Sequence, residues 1–202
     1  SGGAELEQRL GLPCTVDDSS RMMAAAEKIY GSCRELDNFV LISIGLGTGS
    51  GIYIDGELFR GMDGYGGELG HMVIKENGPR CVCGNFGCLE SFASGYAVER
   101  RLREALEDGA YSTLMQRGPV SAREIVAHAE RGDKLAYGII GEAAEHLGIG
   151  IANLINIFNP QKVVLAGGLS RAGPLILDPV RRVVKASALG FSGSRCPIEL
   201  SA

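Results

Sequence analysis

The stretch from 66 to 90, GGELGHMVIKENGPRCVCGNFGCLE, constrains this chain more than any other, because it gathers four side chains that are good metal ligands. Nine residues separate His71 from Cys81, one separates Cys81 from Cys83, and four separate Cys83 from Cys88. At that spacing a single tight loop can bring all four side chains to one point. Thiolates and a neutral imidazole suit Zn²⁺, and three Cys with one His complete a tetrahedron without water. The sequence therefore predicts a structural zinc site.

Two other interpretations of these cysteines stay open at this point. Two of them could form a disulfide, or all three could be inert buried thiols. Gly84 and Gly87 allow the turned backbone that a Cys-rich knuckle needs, and Pro79 stiffens its entry. These residues favour the zinc interpretation.

The composition excludes several classes of protein. With 45% apolar and 22% charged residues, the 202-residue chain can bury a substantial core. A net charge of −4 gives this stretch no broad attraction to nucleic acid. No apolar run reaches the roughly 18 residues that a membrane span needs, and the start SGGAELEQRL lacks the apolar core of a signal peptide. We therefore expect a cytoplasmic protein without membrane contact, whose six Cys are free thiols or metal ligands.

Strand-like and helix-like segments alternate along the chain. Helices are predicted over 5–10, from N-cap candidates at 17–20 to 31, over 90–106, from the capping box at 121–124 to 131, over 133–158 and over 174–188. Strands are predicted over 12–16, in the run FVLISIGLG, over 52–59 with a hairpin turn at 55–56, over 161–166 and from 197 onwards. The alternation predicts an α/β fold.

The segment GLGTGSG, from 45 to 51, is a glycine-rich turn between two strands. Gly47 and Gly49 would let backbone amides approach an anion closely, and the Thr48 hydroxyl adds a donor, so a phosphate cradle is one hypothesis. The segment is neither a Walker loop nor a dinucleotide fingerprint, because no Gly-Lys-Ser/Thr follows and it does not open a helix. The alternative is a tight hairpin without a ligand.

A second glycine pair, Gly167-Gly168, follows the predicted strand over 161–166. Ser170 is a candidate N-cap for a helix after it. A strand, a glycine pair and a helix in that order favour a ligand at the carboxyl end of the strand.

In their order these segments resemble the ROK family of bacterial sugar kinases and sugar-responsive repressors. The segment GLGTGSGI resembles the family's second phosphate loop, RGMDGYGGELGH its sugar segment, CVCGNFGCLE its zinc motif, and VVLAGGLS the strand and glycine pair beside the adenosine. The resemblance covers nearly the whole chain. It implies an actin-like, hexokinase-type (ribonuclease H-like) fold with a zinc-binding loop.

The resemblance also implies roles for individual residues. Glu68, His71 and Glu90 would hydrogen-bond sugar hydroxyls, with the carboxylates as acceptors and the imidazole as a donor. One nitrogen of His71 would bind zinc, which would aim its other N–H at the sugar. Gly47, Thr48 and Gly49, and likewise Gly167 and Gly168, would contact phosphate or nucleotide.

The family's kinases carry an Asn-Asp pair near the start, whose Asp takes the proton from the attacking sugar hydroxyl. An ungapped alignment places Asp18 at the Asn and Ser19 at the Asp. A Ser hydroxyl cannot serve as that base. Loss of the base would slow phosphoryl transfer by roughly 10² to 10⁴ fold. Asp18 stays a candidate sugar ligand and, with a slip of one residue, a candidate base.

The resemblance implies that the chain is truncated at both ends. We expect 1–37 to be the last part of a first actin-like domain and 38–202 to be the second domain. The favoured function is the sugar-sensing region of a ROK-type transcriptional regulator with structural Zn²⁺. DNA would be bound only through a helix-turn-helix region missing from this stretch, and a dimer would form through the second domain.

Two other functions stay open. The chain could be a fragment of an ATP-dependent sugar kinase that phosphorylates a hexose or an amino sugar and uses ATP and Mg²⁺. It could also be a structural zinc domain without a small ligand. Ser19 at the position of the kinase base argues against an enzyme, and the sequence pattern singles out no particular sugar.

Overall fold

The computed structural model describes residues 2–115, 118–193 and 195–201. In these ranges the α-helices are α1 (Gly2–Leu10), α2 (Ser19–Tyr30), α3 (Gly95–Glu107), α4 (Ala122–Glu130), α5 (Lys134–Phe158), α6 (Pro174–Ser187) and α7 (Gly190–Gly193). The strands are β1 (Phe39–Ile44), β2 (Thr48–Ile54), β3 (Glu57–Leu58), β4 (Lys162–Ala166) and β5 (Ile198–Leu200). Short 3₁₀ helices cover Leu69–His71, Leu89–Ser91 and Leu169–Ala172. The predicted α/β fold is confirmed.

The strands of the described chain form one mixed sheet in the order β3-β2-β1-β4-β5. Strand β1 is antiparallel to β2 and parallel to β4, and β4 is parallel to β5. A parallel strand in the middle of a sheet is covered on both faces and therefore carries a continuous apolar run. That is why FVLISI, predicted as a buried strand, forms the centre of this sheet.

The two faces of β1 belong to two different cores. Val40, Ile42 and Ile44 point into the larger core, which α3 to α6 complete. Phe39 and Leu41 point to the other face, where Ala24 of α2 packs against them. Helix α2 therefore lies against the same sheet that carries the rest of the chain.

Helix α5 begins and ends where its sequence indicates. The Asp133 side chain accepts a hydrogen bond from the Ala136 amide, and Asn159 ends the helix in the left-handed conformation just before Pro160. Gly148 leaves room for Val183 of α6, since a Cβ there would lie 2.7 Å from the Val183 Cβ. Gly150 likewise leaves room for Leu89, whose Cδ2 would be 2.6 Å away. The helix predicted over 133–158 is confirmed.

Three local predictions are wrong or incomplete. Residues 12–16 form no strand, because no neighbouring strand in the described chain pairs with them; Pro13 lacks an amide donor, and Leu12 is 63% exposed. The helix predicted from 90 begins only at Gly95, after the Ser94 N-cap, because Leu89–Ser91 forms a separate 3₁₀ turn. Ser170 is not a helix N-cap.

Ser170 lies inside the 3₁₀ turn Leu169–Ala172, and its hydroxyl donates to the Gly167 carbonyl. Helix α6 instead starts at Pro174, after Gly173 at φ +57°. Proline is well suited to the first position of a helix, because it needs no amide partner there.

None of the helices in the described ranges combines the length and the apolarity that a bilayer span requires.

Candidate functional site

A cleft of about 430 Å³ lies where the start of α2 meets the β1–β2 turn and the segment before the first 3₁₀ helix. Its walls include every residue that the sequence proposed as a sugar ligand, namely Asp18, Glu68, His71 and Glu90. They also include Gly47, Thr48 and Gly49 of the proposed phosphate loop. Segments far apart in the sequence therefore meet at one polar opening.

Beside this cleft the four predicted metal ligands converge. One ligand atom from each of His71, Cys81, Cys83 and Cys88 lies within 4.8 Å of the others. The Cys83 and Cys88 sulfurs are 3.7 Å apart, and the Cys81 sulfur is 3.5 Å from His71 Nδ1. A tetrahedron with Zn–S of about 2.3 Å and Zn–N of about 2.1 Å has edges of about 3.6–3.8 Å. The donor set therefore fits zinc in type, and the two distances of 3.5 and 3.7 Å match the edges of such a tetrahedron.

The cysteines of this cluster are free thiols, so the disulfide alternative finds no support in the geometry. A disulfide needs sulfurs about 2.05 Å apart. Local backbone geometry explains how the loop closes: the Cys81 amide donates to the Asn85 carbonyl, and Gly84 takes φ +93°. Gly87 passes directly over the Lys75 carbonyl, where a Cβ would collide.

Burial controls the acidity of these thiols. Burial, reinforced by the neighbouring sulfurs, raises the pKa of Cys88 to about 12. Burial also raises the pKa of Cys81, whereas an amide hydrogen bond from Asn85 lowers that of the exposed Cys83. A metal that binds here must displace the protons of the buried thiols, so its affinity depends on pH.

His71 connects the cysteine cluster with the cleft. Its Nδ1 faces Cys81, and its Nε2 lies 4.0 Å from a carboxylate oxygen of Glu68. The two ring nitrogens therefore face different surroundings, one a group of sulfurs and the other the polar opening. Both roles of His71, as a metal ligand and as a sugar ligand, stay predictions.

Glu90 is the second link between the two regions. Its Oε2 accepts a hydrogen bond of 2.8 Å from the Thr48 amide, at the start of β2. Gly47 makes this possible, because a Cβ there would collide with that same oxygen. The carboxylate thereby fixes the β1–β2 turn to the end of the cysteine loop, and it lines the cleft.

The glycine-rich turn is built for internal contacts. The Thr48 hydroxyl donates to the Ala93 carbonyl at 2.5 Å, and Thr48 is 6% exposed. A Cβ on Gly49 would collide with the Ser20 hydroxyl, and one on Gly51 would collide with the Ala24 methyl. The turn itself is shorter than 45–51, because β2 already begins at Thr48. Phosphate binding here stays a prediction.

Gly167 and Gly168 follow β4, as the sequence predicts, but they lie outside the walls of the cleft. Gly167 takes φ +93° and passes close to the backbone of Ile44, whose nitrogen would lie 2.8 Å from a Cβ. Its nucleotide role also stays a prediction.

At the start of α2, Asp18 and Ser19 both line the cleft. Asp18 caps the helix, since its Oδ1 accepts hydrogen bonds of 2.8 Å from the Ser20 amide and 3.3 Å from the Arg21 amide. Ser19 is the first residue of the helix.

Sequence reasoning missed Asp17, which lies beside the cleft between two guanidinium groups. Burial works against its ionisation, but the Asp18 amide and the side chains of Arg21 and Arg60 outweigh that effect and lower the pKa of Asp17. The signal was the helical i, i+4 spacing of Asp17 and Arg21 across the predicted helix start.

Comparison with known proteins gives a consistent result. The model of the ROK family matches residues 3–201. A protein of Escherichia coli K12 described as the DNA-binding transcriptional dual regulator NagC is 36% identical over 193 residues, which is 96% of this chain and 47% of that protein.

Two solved structures are also similar. One is a ROK family transcriptional regulator described as a homolog of the E. coli MLC protein. It has a TM-score of 0.90 at 36% identity, and the match covers 98% of this chain and 50% of the regulator's chain. A ROK family glucokinase from Streptomyces griseus, solved with glucose and AMPPNP, has a TM-score of 0.88 at 30% identity, over 98% of this chain and 66% of its own. These likenesses confirm the hexokinase-type fold. The chain spans about half the length of the regulators it matches.

Proposed function

The chain belongs to the ROK family, and from that premise we propose that it forms the sugar-sensing region of a ROK-type transcriptional regulator. The observation that carries this proposal is Ser19, which lines the cleft where a kinase of the family would carry its base. A neighbouring carboxylate, Asp18, is committed to capping α2. Sugar binding without phosphoryl transfer is the function that this arrangement supports best.

The sugar would lie against the wall formed by Asp18, Glu68, His71 and Glu90. Carboxylate oxygens accept hydrogen bonds from hydroxyls, and the imidazole can donate one, so the wall suits a polyol. A cleft of about 430 Å³ falls within the range of small-ligand sites, about 300–1,000 Å³. Glu90 Oε2 accepts from the Thr48 amide, and Oε1, which would face the ligand, accepts only a long contact of 3.9 Å from the Cys81 thiol.

His71, Cys81, Cys83 and Cys88 would hold Zn²⁺. When bound, the ion supplies a fixed tetrahedral cross-link and no open position for chemistry, because four protein ligands complete its shell. With Nδ1 committed to that cluster, His71 keeps Nε2 protonated and directed to the cleft, beside Glu68. The cysteine loop thereby keeps one wall of the sugar site in shape.

Properties of the whole protein are also part of this proposal. DNA binding would come from a region outside the chain described here, and the division into 1–37 and 38–202 would separate parts of two actin-like domains. The proposed dimer would form through the second domain. The cytoplasmic setting that we propose rests on the six unpaired thiols.

A sugar kinase is the second candidate, and the likeness to a glucokinase solved with glucose and AMPPNP supports it. In that case ATP and Mg²⁺ would be required, and Asp18 would have to act as the base. The internal hydrogen bonds of Thr48 count against this candidate, since its amide and hydroxyl would have to leave Glu90 and Ala93 to contact a phosphate.

Calorimetric titration of the full-length, zinc-loaded protein with glucose, xylose and N-acetylglucosamine tests the proposal. We expect one sugar to bind and its affinity to fall when a chelator removes the metal. A coupled assay of the same protein should show no sugar-dependent ATP turnover. Absence of binding for every sugar tried would contradict the sensor, and sugar-dependent turnover would establish the kinase instead.

Alanine variants of Glu68 and Glu90 separate the sensor from a purely structural zinc domain. Each should weaken sugar binding while leaving the zinc content unchanged, because neither carboxylate belongs to the cysteine cluster. Retained affinity in both variants would place the sugar elsewhere.

A further inference from the structure

We propose that Asp17 is a positioning residue of the sugar cleft: it fastens both ends of the loop from 60 to 66 to the start of α2, and so holds Asp18 and Glu68 at the separation that the sugar requires. The proposal rests on the proposed function for its ligand. The fastening itself can be tested without any sugar.

The Asp17 carboxylate divides its two oxygens between two partners. Its Oδ1 accepts a hydrogen bond of 2.6 Å from Arg21 Nε and one of 2.8 Å from the Asp18 amide. Its Oδ2 lies 3.0 Å from both Nε and Nη2 of Arg60. One carboxylate thus joins a residue of α2 to the first residue of the 60–66 loop.

The other end of the loop is held through Arg21. Its Nη1 donates to the Gly66 carbonyl at 3.2 Å, and the Gly66 amide donates to the Arg60 carbonyl at 2.8 Å, which closes the base of the loop. Asp17 therefore holds Arg60 directly and Gly66 through one intermediate side chain.

Little else fixes the outer part of this loop. Met62 is 96% exposed and Tyr65 is 79% exposed, while Gly61 and Gly64 take φ +69° and +83°. Glycines at positive φ make the loop backbone adaptable, so its position depends on the contacts at its base. Glu68 follows that base by two residues.

Burial separates this network from an ordinary surface ion pair. The side chains of Asp17 and Arg21 are 9% and 11% exposed. By contrast, the pair between Glu145 and Arg182 is 54% and 65% exposed and is therefore screened by solvent. Removing one partner of a shielded pair leaves the other charge uncompensated, so we expect the loop to move away from its present place.

The test uses Asp17→Asn and Arg60→Gln in the full-length protein, with Glu145→Gln as the matched ion-pair control. Affinity for glucose and for N-acetylglucosamine is measured by calorimetry, and backbone hydrogen exchange is followed over 60–68. Both variants should weaken sugar binding about tenfold or more, a loss of about 1.4 kcal/mol, and should speed exchange over 60–68. The zinc content should stay at one per chain, and Glu145→Gln should behave as wild type.

A rescue experiment distinguishes positioning from general stability. Arg60→Lys keeps the positive charge beside Asp17 and should recover part of the affinity that Arg60→Gln loses. In a double-mutant cycle, Asp17→Asn should cost less sugar affinity in the Arg60→Gln background than in wild type, because the contact between Asp17 and Arg60 is already lost there and only the contact with Arg21 remains.

Two outcomes overturn the proposal: unchanged exchange over 60–68 in both variants, or faster exchange with unaltered sugar affinity. If Asp17→Asn fails to fold, Arg60→Gln decides alone, because the Arg60 side chain is half-exposed and contributes one arm of the network. If wild type binds no sugar, the proposed function fails, while the exchange experiment still shows whether Asp17 fastens the loop.

Discussion

The cysteine loop, from His71 to Cys88, and the glycine-rich turn, from 45 to 51, both border the cleft, and each carries a sequence pattern typical of ligand binding. In the cysteine loop the four candidate ligands face one another at distances suited to zinc. In the turn, the Thr48 amide and hydroxyl already bond to Glu90 and Ala93. The cysteine loop gathers donor atoms that could hold a ligand, whereas the glycine-rich turn uses its donors in hydrogen bonds within the protein.

A conspicuous sequence pattern can therefore indicate either a ligand or close packing within the protein. In the cysteine loop, side chains that can bind a metal lie chiefly against one another, so their convergence points to a ligand. Glycine indicates only that something comes close to the backbone. At Gly49 and Gly51 what comes close is α2 of the same chain.

The largest expected effect is on the cysteine loop. Replacing Cys88 by serine, in Cys88→Ser, should remove stoichiometric zinc and lower the free energy of unfolding by about 3–5 kcal/mol, because a fully buried ligand of the cluster is lost. Elemental analysis and thermal unfolding measure the two effects. Cys14→Ser, outside the cluster, is the control and should keep its metal. A full complement of zinc in Cys88→Ser would remove the distinction between the two regions.

The second largest effect is expected at a third polar cluster, around Asp133. Asp133 is 7% exposed and accepts hydrogen bonds from the Ser112 hydroxyl, the Thr113 amide and hydroxyl, and the Ala136 amide. Since its polar atoms are all used internally, like those of the turn, we expect a structural role. Asp133→Asn should lower stability at pH 7 by about 2–3 kcal/mol.

The pH dependence of that cluster has a definite sign. Burial opposes ionisation of Asp133, but its four hydrogen bonds outweigh burial and hold its pKa far below the usual range. A lowered pKa in the folded state stabilises the protein above the unfolded pKa of about 3.9, and this stability is lost as the pH falls towards the folded value. Denaturant unfolding between pH 7 and pH 2 should show a shallower acid loss in Asp133→Asn than in wild type. An equally steep loss would contradict this assignment.

A smaller effect is expected at the glycine-rich turn. Gly51→Ala should cost about 1–3 kcal/mol of stability, because the new methyl would overlap Ala24 and lie 2.8 Å from the Ser20 carbonyl. Gly138→Ala in α5 is the matched control: nothing lies within 4 Å of a Cβ there, and alanine should stabilise the helix by about 0.5–1 kcal/mol. Unchanged stability in Gly51→Ala would show that α2 leaves room for a side chain at this position.

The smallest effect concerns the link between the two regions. Glu90→Gln keeps an oxygen that can accept from the Thr48 amide but removes the charge, so we expect near-normal stability and sugar binding weakened by about 1–2 kcal/mol. Calorimetry against wild type measures the difference. If affinity is unaltered, Glu90 holds the turn in place and makes no contact with the sugar.

Local signals in the sequence predicted much of the fold. Helix α5 has its N-cap in Asp133 and its stop at Asn159, and the five apolar residues among the six of β1 indicate a strand buried on both faces. The cysteine cluster was equally predictable, because its four residues lie close together in the sequence and share one chemistry.

The rest depends on tertiary contacts that a linear pattern does not contain. The strand predicted over 12–16 has no partner strand in the described chain. Gly49 is a glycine because Ser20, from another segment, packs closely against it. The role of Asp17 was overlooked for the same reason. Its partner Arg21 is only four residues away, but its second partner, Arg60, is 43 residues away. Long-range pairing decided each of these cases.

Leu89, fully buried in the notch that Gly150 leaves in α5, directly precedes Glu90. The core and the cleft therefore meet at two consecutive residues of one short 3₁₀ turn. Because α5 has 25 residues and extends for about 37 Å, the packing of one long helix against Leu89 helps to set where the next carboxylate, Glu90, lies in the wall of the cleft.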